Sequence, residues 1–136
     1  MIPSSKGSAV SLFFPELSYQ IGGILFRVYN ELGPGYHEKH VQRAVANALR
    51  SAKIAFQEQV PMEFEFQGRS IGRYFLDFVV DSKIVLELKV RGRFLKKDFN
   101  QVKQYLRKTG LQLGLLARFG QSGVVIERVL RPHTDS

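Results

Sequence analysis

The sequence predicts a single α/β domain in which a central mixed β-sheet is flanked by helices. Three observations carry that expectation. Tyr74 to Val90, YFLDFVVDSKIVLELKV, alternates like two strands joined by a tight turn. Three other segments have the apolar spacing of amphipathic helices, two before this hairpin and one after it. Leu111 to Phe119, LQLGLLARF, is a nearly continuous apolar run, as in a buried strand.

The chain is 136 residues long, a length at which one domain buries about two-thirds of its unfolded surface. Residues 1–15 are rich in Ser, Pro and Gly without a sustained period and are expected to form a flexible arm. The domain proper is expected over residues 16–131, and residues 132–136 should fray.

In the first helix, about Glu16 to Leu32, the residues Ile21, Leu25, Val28 and Leu32 recur at i, i+4, i+7 and i+11. Gly33-Pro34-Gly35 ends it, because glycine suits the left-handed position after a helix and proline cannot continue one. A second helix is predicted from about Tyr36 to Ala52, with Val41, Val45, Ala48, Leu49 and Ala52 facing inward. Glu38 shares that inward stripe, three residues before Val41. An acid there either complements the helix N-terminus, an effect of about 0.3–1 kcal/mol, or points at a cation held elsewhere.

Ala55 to Phe66 alternates loosely as a strand, and Pro61 places it at an edge or a bulge. Gln67-Gly68-Arg69 is a turn leading into the strand that carries Asp77. After the hairpin, a helix from about Lys96 to Thr109 presents Phe99, Val102, Tyr105 and Leu106, and Gly110 closes it. Val124 to Leu130 is a last strand, expected at an edge.

Within the hairpin, period two puts Asp77 on one face with Phe75 and Val79, and Tyr74, Leu76, Phe78 and Val80 on the other. On the second strand Val85, Glu87 and Lys89 share a face opposite Ile84, Leu86, Leu88 and Val90. A loop of Asp81, Ser82 and Lys83 pairs Val80 with Ile84 and sets Asp77 opposite Glu87. A two-residue loop would bury charge among apolar groups. Facing carboxylates about 5 Å apart at Cβ repel one another, so this register calls for a cation between them.

The composition narrows the chemistry. With no cysteine and only His37, His40 and His133, thiolate sites, disulfides and histidine metal clusters drop out, and a reducing, cytoplasmic setting is expected. No run is long enough for a membrane span. A formal net charge of +8 points to a polyanionic partner, nucleic acid foremost. The basic residues concentrate from Lys89 through Arg91, Arg93, Lys96, Lys97, Lys103, Arg107 and Lys108, against the single acid Asp98. Such a run can be a solvated face, but this one starts at the charged hairpin.

Asp77, nine intervening residues, then Glu87-Leu88-Lys89, with Glu38 upstream, resembles the acid and acid-x-lysine motif of the PD-(D/E)XK nuclease superfamily. The stretch ELGPGYHEKHV, the hairpin with LELK and QVKQYLRKTGLQLGLL are similar in order and spacing to its GxxExxY group. Gly35 and Glu38 fit that motif, while Val41 stands in place of its tyrosine, Tyr29 where a histidine is frequent, Tyr36 where leucine follows the turn, and Leu76 in place of the proline before Asp77. The resemblance implies a restriction-endonuclease-like core and a metal-dependent nuclease acting on DNA. It also implies that Asp77, Glu87 and the Leu88 carbonyl bind Mg²⁺ or Mn²⁺ with Glu38 in support, and that Lys89 orients the attacking water. Gln101 and Tyr105 would touch the site or the nucleic-acid backbone. Independently, oxygen donors without cysteine or clustered histidine suit a hard divalent cation. Two other readings stay open at this point, a nucleic-acid-binding module that does not cut and a protein-interaction scaffold, as does a homodimer.

Overall fold

Pro15 opens the first helix, α1 (Pro15–Leu32), in the computed structural model, which describes residues 13–133. The fixed φ of proline suits the first helical position. Ile21, Ile24, Leu25 and Val28 form the buried stripe, and Gly33, at φ +75°, ends the helix with its N–H on the Tyr29 carbonyl. Most of the expected arm, residues 1–12, and the last three residues of the expected frayed end lie outside the described residues. Helix α2 (Glu38–Ser51) starts two residues later than predicted, with His37 as an extended N-cap. Val41, Val45, Ala46 and Leu49 are its buried face, while Ala52 is exposed just beyond its end.

The strands β1 (Phe56–Phe66), β2 (Arg69–Val80), β3 (Ile84–Lys89), β4 (Leu113–Phe119) and β5 (Val124–Leu130) form one sheet in the order β1-β2-β3-β4-β5. It is mixed: β3 and β4 are parallel, joined across helix α3 (Lys96–Thr109), and the other neighbours are antiparallel. Both expected edge strands, β1 and β5, are edges, so Pro61 costs no central ladder bond. The register of β1 slips at Phe64/Glu65 rather than at Pro61.

The turn after β2 has the predicted three residues: Val80 pairs with Ile84, and the Lys83 N–H reaches the Val80 carbonyl at 2.9 Å. Asp81 and Ser82 both take positive φ, 54° each. The turn of β1–β2 is shorter than predicted, since Arg69 already pairs with Phe66. Gln67 and Gly68, at φ 52° and 80°, supply the left-handed pair that suits a two-residue hairpin loop.

Two apolar layers enclose the sheet. One joins α1 and α2 to Phe78, Val80, Ile84, Leu86, Leu88, Leu113, Leu115 and Ala117. The other joins Val102 and Leu106 of α3 to Leu76, Val79, Val85, Leu116 and Val129. The strand faces of β3 fall as predicted, but those of β2 do not. Leu76 and Tyr74 belong to the α3 layer together with Val79, whereas Phe78 and Val80 belong to the α1/α2 layer. The alternation of β2 therefore reverses at Asp77. Its neighbour β1 reverses at the matching rung: Phe56 packs on the α1/α2 layer and Val60 on the α3 layer. Between them lies Gln59, at φ 51°, and the pair it would make with Asp77 is missing from the ladder. A strand residue in the left-handed region breaks the pleat, as in a bulge.

Candidate active site

Among the described residues, Asp77 and Glu87 are the only buried charged side chains, 8% and 5% exposed. The same reversal that swaps the faces of β2 isolates Asp77. Its rung is skipped by the β1–β2 ladder, and the β2–β3 ladder stops one pair short, at Phe78/Leu86. Instead of completing that ladder, the Leu88 N–H donates to Asp77 Oδ2 at 2.8 Å. The β2–β3 register predicted Asp77 and Glu87 as a cross-strand pair. The structure brings the two carboxyls together as a side-chain contact at the point where the strands part.

Burial raises the pKa of Asp77, with the Leu88 N–H and the contact with Glu87 pulling it back. Glu87 is pushed up to about 10, first by burial and then by the charge of Asp77. Both carboxyls are thus biased toward the protonated form, Glu87 the more strongly, although each also accepts a backbone N–H, from Leu88 for Asp77 and from Asp77 for Glu87. Glu87 Oε2 has no hydrogen-bond partner among the described residues. Tyr74, carried to this face by the reversal, has its phenol pKa raised by burial and then by the charges of Glu87 and Asp77. It stays a neutral donor beside Glu87. The alternation of an unbroken strand assigns Tyr74 to the other face, so sequence reasoning missed it.

Glu38 sits in the first turn of α2, exposed as a residue, with its carboxyl directed at the site. Partial desolvation and then the charge of Asp77 raise its pKa, opposed by Lys89 and the Val90 N–H. Glu38 and Asp77 line one cleft of about 450 Å³ with Lys39, Gln42, Arg43, Glu58 and Gln59. Lys89, half-buried at the end of β3, has its amine 3.8 Å from Asp98 Oδ2 and 5.7 Å from the centre of the Phe94 ring. Asp98 also accepts the Leu95 N–H at 2.6 Å, half of a capping box, because Leu95 has no side-chain acceptor to return the bond. The lone acid of the basic tract is therefore a helix cap and the partner of Lys89.

Gln101 and Tyr105 are half-buried on α3. Gln101 Oε1 is buried with no partner among the described residues. Tyr105 packs into the apolar layer, and burial raises its pKa, so it contributes to the core edge. Arg91, Arg93, Lys96 and Lys97 are exposed between β3 and the first turn of α3, and Lys103 is half-buried. Lys108 is turned away from the site, bonded to the Glu63 carbonyl and near Glu65.

No group of three His, Asp or Glu side chains close enough to hold a metal ion occurs among the described residues. What the fold does assemble is a pair of carboxylates, one with an unpartnered oxygen, beside the Leu88 backbone. That donor set fits a hard divalent ion such as Mg²⁺, which binds one or two carboxylates and keeps several waters.

Similar solved structures include the crystal structure of SSO0001, 17% identical, with a TM-score of 0.52 over 71% of this chain and 50% of that one. They also include an alkaline exonuclease (LHK-Exo) from Laribacter hongkongensis, 12% identical, with a TM-score of 0.45 over 64% of this chain and 52% of that one. This chain thus aligns with about half the length of each. No curated protein matches it. The mixed sheet with helices on both faces is a restriction-endonuclease-like core. The family model of the PD-(D/E)XK nuclease superfamily matches residues 15–129, a span that holds Glu38, Asp77, Glu87 and Lys89, and the chain belongs to that superfamily.

Proposed function

We propose that this chain is a metal-dependent nuclease of the GxxExxY type that hydrolyses phosphodiester bonds in DNA, with Mg²⁺ or Mn²⁺ as its ion. The observation that carries the reading is the buried Asp77–Glu87 pair with its unpartnered Glu87 oxygen. An apolar layer does not keep two adjacent acids without a compensating partner. Asp77, Glu87 and the Leu88 carbonyl are the ligands in this reading, and Glu38 steadies the ion or its water from the rim. The bound ion would lower the pKa of a coordinated water and neutralise charge developing on the phosphate. Lys89, held by Asp98 at the end of β3, supplies a positive charge that acts on Glu38 at the rim. Gln101 offers its amide to the site or to the backbone of the nucleic acid.

The basic tract supports a polyanionic substrate. Lys96 and Lys97 stand in the first turn of α3, where positive charge opposes the helix dipole. Phosphate contacts offset that penalty. A single copy presents one site, so cutting both strands of a duplex calls for a homodimer or two encounters, and the absence of cysteine suits the cytoplasm.

The test is cleavage of supercoiled DNA by the purified chain with Mg²⁺ or Mn²⁺, and with EDTA as control. Nicking that requires the ion and is lost in Asp77→Ala and Lys89→Ala is expected. Nicking that survives both substitutions overturns the assignment. The basic tract, which can hold phosphates without any ion, favours a second reading, a binding module that keeps the fold and does not cut. Metal-independent binding without cleavage of any DNA or RNA would select it.

A further inference from the structure

Resting on the nuclease reading, we infer that a second cleft, built around Arg118 and Arg91, binds a backbone phosphate next to the one being cut. The cleft, of about 370 Å³, is lined by Pro34 and Gly35 before α2, Val90, Arg91 and Gly92 after β3, and the end of β4 with its following turn. It adjoins the carboxylate site directly, since Val90 lines it while the Val90 N–H lies beside Glu38.

Arg118 is one of its two cations, with Arg91. In the parallel β3–β4 ladder Arg118 is the partner of Lys89, so the two cations stand side by side on the face that also carries Glu87. Like charges on neighbouring rungs are destabilising. Lys89 has Asp98, but no carboxylate lies within ion-pair distance of Arg118 or Arg91 among the described residues. An arginine half-buried as a residue beside another cation, with no acid to meet it among the described residues, is arranged for an anion. Its planar fork matches the paired oxygens of a phosphate.

The surrounding backbone leaves room for this arginine. A side chain at Gly120 would bring its Cβ within 3.2 Å of Arg118 Nη1, so glycine there lets the guanidinium lie against the main chain. Gly35 and Gly92, at φ +99° and +70°, shape the opposite wall in conformations that favour glycine, and nothing crowds their Cα atoms. The turn after β4 is pinned from across the domain. The Tyr29 hydroxyl of α1 donates to the carbonyls of Gly120 and Gln121, at 2.8 and 2.9 Å, and the Gly120 N–H donates to Gly123 O at 2.8 Å. A surface arginine with only a solvating role does not require a tethered wall.

The phosphate can belong to the interior of a strand or to its end. The experiment measures binding of single-stranded 12-mers, with a 5′-phosphate or a 5′-hydroxyl, by fluorescence anisotropy in EDTA across a salt series. Wild type, Arg118→Gln and Arg91→Gln, at an exposed position, are compared. Each lost phosphate contact is expected to reduce the slope of log K against log salt by about 0.7. A wild-type preference for the 5′-phosphate that disappears in Arg118→Gln assigns the cleft to a strand end. A slope change that is equal for both oligonucleotides assigns it to an internal phosphate. Slopes and affinities unchanged in both variants, while the wild type still binds and cuts, overturn this inference alone. No binding of either oligonucleotide by a wild type that still nicks supercoiled DNA also overturns this inference alone, and a wild type that neither binds nor nicks overturns it together with the nuclease reading.

Discussion

Glu87 is the residue whose chemistry is most displaced by the fold. Its carboxyl, ordinarily near 4.5, is pushed up to about 10 by burial and by Asp77. Between those values the folded chain keeps a proton that the unfolded chain has released. Stability from this group is therefore full below about pH 4.5 and declines as pH rises toward about 10. Glu87→Gln, which imitates the protonated acid, should remove that decline. In metal-free buffer at pH 8–9 the variant is expected to melt above the wild type and, unlike it, to show little dependence on pH, measured by circular dichroism. A variant that melts below the wild type across that range would show that Glu87 is ionised in the folded chain. The pairing of Asp77 with Glu87 was legible in sequence because a three-residue turn left the acids no other register. The neighbouring Tyr74 was not legible. Its position depends on Gln59 adopting a left-handed backbone, and glutamine gives no local sign of that conformation.

At the scale of elements, the position of α3 against the sheet rests on Gly114. A Cβ added there would lie 2.6 Å from Val102 Cγ1 and 3.8 Å from the Cβ atoms of Val85 and Val129. Gly114→Ala is thus expected to destabilise the chain by about 1–3 kcal/mol, the usual cost of overpacking. Val102→Ala in the same chain should restore much of that loss, because it removes the methyl group that is struck. Chemical denaturation of the single and double variants checks this, and equal losses with and without Val102→Ala would mean the strain lies elsewhere. The helices and the edge strands could be read from periodicity and from Pro61. The faces of β1 and β2 could not, because a period-two reading carries its phase through the whole strand. At the Gln59–Asp77 rung both phases slip together, so the apolar pattern looks regular on either side of the break.

For the whole molecule, the two apolar layers and the candidate ion site are thermodynamically linked. An ion that binds only the folded chain stabilises it by about 2.7 kcal/mol at a hundred times its dissociation constant. Because the ion competes with the proton on Glu87, Mg²⁺ or Mn²⁺ should raise the melting temperature more at pH 8 than at pH 6. Asp77→Asn should abolish the effect, and an equal rise in that variant would place the ion outside the carboxylate pair. No helix among the described residues is long and apolar enough to cross a membrane.

The reversal at Gln59 and Asp77 also gives the hairpin two allegiances. At the base of the β1–β2 hairpin Phe56, Phe78 and Val80 pack on α1 and α2 with Val79 on α3, whereas farther out Val60, Tyr74 and Leu76 lean on α3, where Lys108 grips the Glu63 carbonyl. Asp77 sits at the crossover and fastens itself to β3 through the Leu88 N–H. It acts as a rivet at the junction of both plates, so a ligand seated on it is expected to stabilise the two layers together.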